Sequence, residues 1–215
     1  MASFSMHLSI AKLYLDRHTE EDEYEFVRGS IEPDLAPFLE KGRTHYGLHA
    51  AWANPAKYLQ ENGKSLENSF KRGYFLHLLT DYLFYHLLIN IDEILNIQDV
   101  KETIDLQNLD EKAKHLLDEW IKNQRNDFSV LEGEIRNRYD IEDYIKTLPE
   151  NIRKVMTSID GDLKVFKREE VFDFLENMGK INIDKIAEDL IKNPGQDLIE
   201  LYRNVLNNIN LDETR

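Results

Sequence analysis

The sequence predicts an all-α protein, a multi-helix domain followed by a helical extension. Three observations carry this reading. Nearly every periodic segment repeats its apolar residues at helical spacing, and no segment alternates as a half-buried strand does. The third is the run 74–89, sixteen residues apolar on every side of a helix, the pattern of a helix buried all round. That run has no Lys, Arg or Glu, yet it carries His77 and Asp81 one helical turn apart.

Taken in order, residues 6–15 place Leu8, Ile10, Ala11, Tyr14 and Leu15 on one stripe, with His7 at its centre. A charged connector spans 16–25. In Gly29-Ser30-Ile31-Glu32-Pro33-Asp34, Pro33 biases Glu32 toward an extended backbone, so Asp34 is expected to start a short helix reaching about Lys41. A helix over 44–52 comes next. Asn54 and Pro55, a cap and first-turn pair, open another over 56–61. The long central helix is expected over 65–95. A further amphipathic helix at 110–122 turns Leu109, Ala113, Leu116, Leu117 and Trp120 inward.

Beyond Asn123 the texture becomes more charged. Helical segments are expected at 130–138, 142–156, 168–178, 183–191 and 196–206, with breaks at Pro149, Asp160-Gly161, Gly179 and Asn193-Pro194-Gly195. Six of the seven histidines precede residue 90. The expected division is therefore a metal-binding helical domain over 1–123 and a helical extension packed on it over 124–215.

Composition removes several function classes. At 215 residues the chain fills one sizeable domain, or one with an appendage. It has no cysteine, so thiolate zinc sites, disulfides and Cys nucleophiles are excluded, and any metal must be held by His, Asp or Glu. A net charge of −14 argues against long nucleic acids as partners but leaves room for a small phosphorylated substrate in a metal-lined pocket. The first residues lack the basic-then-apolar pattern of a secretory signal, so a cytoplasmic protein is expected. The run 74–89 is too short to span a bilayer and has ionisable groups at its centre, so no stable membrane insertion is expected.

His77 and Asp81 form the strongest chemical signal. A buried carboxylate is costly unless a cation or a set of donors compensates it, and an i,i+4 His–Asp pair is how one helix presents two ligands to a metal ion. The plainer reading is a His–Asp hydrogen bond that fixes core packing. His7 faces the core side of its helix; His18 shares that face but lies roughly 16 Å further along at helical rise, too far to bind the same ion. Asp34 can serve as an N-cap. However, Pro37 three residues on offers no N–H, which leaves the carboxylate freer for other work. His45, His49 and Trp52 fall on one face of the helix expected at 44–52. His86 is nine residues past His77, pointing away around an ideal helix. His115 and Glu119 fall outside the apolar stripe of their helix and read as a solvated face.

The ordered set His7, Gly-Ser-Ile-Glu-Pro-Asp34, Thr-His45-Tyr and Gly-Tyr-Phe-Leu-His77-Leu-Leu-Thr-Asp81 resembles the zinc-dependent phospholipase C/D domain over roughly residues 5–90. That family includes bacterial zinc phospholipases C and the catalytic domain of glycosylphosphatidylinositol-specific phospholipase D. More distantly it resembles the single-strand-preferring zinc nucleases. The resemblance implies an all-α metal-dependent hydrolase in which His7 binds one ion, Asp34, His45 and His77 bind another, and Asp81 bridges or assists. Secreted members hold a further ion partly through a processed N-terminal tryptophan. The sequence here opens on Met1, so one or two ions are expected, with zinc first and manganese or iron as alternatives. Asp34 is assigned the catalytic role of a ligand that also accepts a proton from water. Phosphodiester or phosphomonoester hydrolysis is the expected reaction. The competing reading is a non-catalytic helical protein with a structural or vestigial metal site, and oligomeric state stays open.

Overall fold

The apolar run at 74–89 becomes the helix on which the others are arranged. A computed structural model describes residues 2–37, 40–47, 52–63, 66–89 and 111–213, with the backbone alone at 111–118, 120 and 210–213. Every regular element among them is helical. The N-terminal elements are α1 (Phe4–Leu15), α2 (Glu23–Leu35), α3 (Lys41–Thr44), α4 (Pro55–Glu61) and α5 (Ser69–Leu83). A π-helical turn, Phe84–Ile89, continues α5. Then come α6 (Glu111–Tyr139), α7 (Glu142–Thr147), α8 (Glu150–Arg153), α9 (Arg168–Lys180), α10 (Ile183–Lys192) and α11 (Leu198–Glu213). None of the described helices is long and apolar enough to cross a membrane.

Helix α5 lies against α1, α2, α4 and α10, which buries Gly73, Phe75 through Asp81, and Leu83. Its start is set by Asn68, whose side chain accepts from the Lys71 N–H at 2.9 Å, four residues later than the sequence suggests. The expected Asn54–Pro55 start of α4 is realised, with Asn54 Oδ1 accepting from the Lys57 N–H at 2.8 Å.

Helix α2 departs from expectation. Pro33 sits inside it, and Asp34 is in its last turn instead of starting a helix. The reason is tertiary. A Cβ on Gly29 would stand 2.1 Å from the Phe70 carbonyl oxygen, and one on Gly73 2.1 Å from that of Phe26. Backbone therefore lies on backbone where α2 crosses α5, and this packing outweighs the hydrogen bond that Pro33 removes near the helix end. The helix ends two residues later, where Ala36 is extended.

The helix expected at 44–52 is also absent over its first part. Helix α3 stops at Thr44, Tyr46 takes a left-handed φ of 59°, and Gly47 follows. A Cβ on Gly47 would meet the Trp52 carbonyl oxygen at 1.7 Å, so the chain turns tightly here. Residues 48–51, including His49, lie outside the described residues, as do residues 90–95 of the expected central helix.

Residue 123 falls inside α6, which runs unbroken from Glu111 to Tyr139. Pro149 divides the helix expected at 142–156 into α7 and α8. Helix α1 packs against α6 and α9. Ser5 Oγ donates to the buried Glu132 at 2.5 Å, and Arg72 joins α5 to Asp184 of α10.

A candidate metal centre

Each side chain of interest reaches one point by a traceable route. The Gly29–Gly73 crossing lays the end of α2 on the middle of α5, so the Ser30 carbonyl accepts from His77 Nδ1 at 2.7 Å. The Pro33 carbonyl would bond the N–H of residue 37 in a longer helix, but Pro37 has none. Thr44 Oγ1 donates to it instead at 2.9 Å, and Tyr74 OH donates to the Thr44 carbonyl at 2.6 Å. These bonds hold α3 against α2 and α5 and deliver His45 as the cap residue of α3.

Asp34, His45, His77 and Asp81 converge, with one ligand-type atom from each lying within 4.8 Å of all the others. His7 joins them, and all five are between 0 and 4% exposed. His45 Nε2 is 3.1 Å from His77 Nε2, 3.2 Å from Asp81 Oδ2 and 3.5 Å from Asp34 Oδ1. His77 Nε2 is 3.7 Å from Asp81 Oδ2 and 3.9 Å from Asp34 Oδ1. On the other edge of both carboxylates, His7 Nε2 is 3.4 Å from Asp81 Oδ1 and 3.8 Å from Asp34 Oδ2. The His7 ring stacks on His77 with centroids 3.9 Å apart. The backbone N–H of Ala2 also donates to Asp81 Oδ1, at 2.8 Å.

Hydrogen bonding fixes what these atoms can do. His45 Nδ1 lies 2.8 Å from the Lys41 carbonyl oxygen, and His77 Nδ1 faces that of Ser30. A carbonyl oxygen only accepts, so both Nδ1 atoms carry the hydrogen and both neutral rings present a bare Nε2 lone pair. Two lone pairs and two carboxylate oxygens then face one another inside the protein. His7 Nε2, Asp34 Oδ2 and Asp81 Oδ2 are buried without a hydrogen-bond partner. The Lys41 ammonium, 2.5 Å from Asp34 Oδ1, compensates one of the two carboxylates, and the other calls for a further cation.

A proton is one candidate. Burial alone would lower the pKa of His45, but the Asp34 and Asp81 carboxylates outweigh burial and raise it to about 9. Burial pushes His77 down to about 3, with repulsion from His7 adding to it, so His77 is neutral near pH 7 and carries charge only in strong acid. Burial alone would raise both aspartates, yet both are held below the usual carboxylate range, Asp34 by His77 and His45, Asp81 by His45 and His7.

A divalent ion is the other candidate. Ligand atoms bonded to one tetrahedral ion at about 2.0–2.2 Å lie about 3.3–3.6 Å apart. The Nε2–Nε2 and Nε2–carboxylate separations of 3.1–3.9 Å bracket that value, and the four ligand atoms as a set lie within 4.8 Å of one another. The His/His/Asp/Asp donor set is one that zinc accepts. Residues 6–145 match the protein-family model for zinc dependent phospholipase C. The chain belongs to the zinc-dependent phospholipase C family. No curated protein and no solved structure matches it.

Of the other histidines in this family member, His18 stacks on Tyr14 and pairs with Glu20, and His86 in the π-helical turn packs at a tilt against Tyr82 of α5. Glu119 is exposed, and the side chain of His115 lies outside the described residues. Sequence reasoning missed Lys41, whose Nζ is 2.5 Å from Asp34 Oδ1 although lysines in general are seldom buried. Its only signal in the sequence is its place four residues before His45.

Proposed function

We propose that this protein is a metal-dependent hydrolase cleaving a phosphodiester or phosphomonoester in a small phosphorylated molecule. The observation that carries the proposal is the pair of His45 and His77 Nε2 atoms, 3.1 Å apart and flanked by two buried carboxylates. Asp34, His45, His77 and Asp81 would hold one ion. His7 with the outer oxygens of Asp34 and Asp81 offers a second position. When bound, such an ion supplies Lewis acidity, polarising a phosphoryl oxygen and bringing the acidity of water toward neutrality.

The chain's own groups do the rest. The Lys41 and Ser30 carbonyls keep His45 and His77 in the tautomer that leaves Nε2 available. With one ion bound and the second position empty, Asp34 Oδ2, which has no hydrogen-bond partner, would accept the proton of the attacking water. The hydroxyl part of that water adds to phosphorus as the P–O bond to the leaving group breaks. Residues 1–123 would supply this chemistry, and the helices after them, through α9 and the Glu132–Ser5 bond, would brace α1.

The near-complete burial of the five side chains favours a second reading, a structural ion without turnover. Hydrolysis of bis-(p-nitrophenyl) phosphate separates the two. The hydrolase reading expects turnover that depends on added zinc or manganese and disappears in Asp34→Asn. A protein that holds zinc stoichiometrically and turns over no phosphoester contradicts it.

A further inference from the structure

Lys41 is the sole lysine or arginine among the buried described residues, 4% exposed. It is committed to the centre twice. Its carbonyl accepts from His45 Nδ1 at 2.8 Å, and its ammonium lies 2.5 Å from Asp34 Oδ1, the oxygen that also faces His45 and His77. We infer that Lys41 makes the metal-loaded centre an anion-binding site and is the residue that takes the anionic phosphoryl oxygen of the substrate. This rests on the reading that the cluster holds a divalent ion.

The argument is one of charge. With neutral imidazoles, Asp34, Asp81 and Lys41 sum to −2 + 1 = −1. One divalent ion brings the centre to +1, and two bring it to +3. A buried net positive charge is costly until an anion joins it. Without the ammonium, one ion would make the centre neutral and it would have no use for an anion. In the ion-free protein the same ammonium neutralises Asp34. An incoming ion must therefore share Asp34 Oδ1 with Lys41, which weakens metal binding. Lys41 thus acts in opposite directions on metal and on anion, which a purely structural lysine would not.

Calorimetric titration of zinc into ion-free protein, followed by inorganic phosphate into the zinc-loaded form, tests this in wild type, Lys41→Met and Lys41→Arg. Lys41→Met is expected to bind zinc about tenfold tighter and phosphate at least about tenfold weaker, the scale of one unit charge a few ångströms away in a partly screened interior. Lys41→Arg is expected to retain phosphate binding. Equal zinc and phosphate affinities in wild type and Lys41→Met overturn the assignment to Lys41 while leaving the metal reading intact. Failure of wild type itself to take up zinc overturns the metal reading and this inference with it. Should Lys41→Met not fold, the side-chain ammonium resonance of Lys41 in wild type gives the readout. It is expected to shift when zinc is added and again when phosphate follows, and no shift on phosphate overturns the inference.

Discussion

His77 and Asp81 were legible as a pair because helical spacing and an apolar surround are both written in the sequence. Asp34 and His45 were legible only as residue types, since what aims them is a carbonyl or a hydroxyl elsewhere in the chain. Lys41 was not legible, because nothing in the sequence marks a lysine whose ammonium will be buried against a carboxylate. The geometry of Asp34, His45, His77 and Asp81 gives predictions for pH dependence and for metal content. First, His45 in the ion-free protein has a pKa raised from 6.5 to about 9, so its proton stabilises the fold fully below about pH 6.5. That stabilisation is lost as pH rises through about 9, and thermal melts across this range are expected to fall. Metal affinity runs the opposite way. The ion must displace that proton, so apparent zinc affinity is expected to rise by about tenfold per pH unit toward pH 9. A flat affinity profile would mean that His45 is not a ligand. Second, His77→Ala combined with Asp81→Asn is expected to abolish stoichiometric zinc by elemental analysis, and unchanged metal content would place the ion elsewhere.

Among the elements, helix existence was easy to read and helix ends were not. The apolar run forced α5, and Asn54–Pro55 fixed the start of α4. Pro33 misled because its local preference is real but small beside the Gly29–Gly73 crossing, a contact between residues far apart in sequence. The turn at Tyr46–Gly47 was hidden for the same kind of reason, since its tightness is set by the Trp52 carbonyl. Gly73→Ala must separate α2 from α5, because the new Cβ meets the Phe26 carbonyl at 2.1 Å and the Ser30 nitrogen at 2.9 Å. A loss of about 1–3 kcal/mol or more is expected in denaturant unfolding, and zinc affinity should fall as the Ser30 carbonyl leaves His77. Gly63 provides the control. A Cβ there meets nothing, so only the strain of its φ of 91° applies and zinc binding should be unaffected.

For the molecule as a whole, the helical class was readable from periodicity, whereas the bracing of α1 by α6 and α9 depends on pairings that no local pattern announces. The buried Glu132 is one such pairing. Burial raises its pKa above the usual carboxylate value, so it stabilises the fold only while protonated, and that contribution is lost as pH rises through its folded pKa. Glu132→Gln keeps an acceptor for Ser5 and removes the charge, so its melting temperature is expected to match or exceed that of wild type at pH 7. A clear fall would show that the charge itself is needed, through Arg136 4.0 Å away. Metal should also stabilise the whole fold by mass action, about 2.7 kcal/mol at a free concentration one hundred times Kd, and a chelator should reverse it. The most direct test of the central claim is anomalous diffraction at the zinc edge from crystals grown with the metal. A peak within bonding distance of His45 Nε2, His77 Nε2 and both aspartates is predicted. Density without an anomalous peak, with His45 donating from Nε2 to Asp81, would show that a proton alone holds the cluster and would contradict the account.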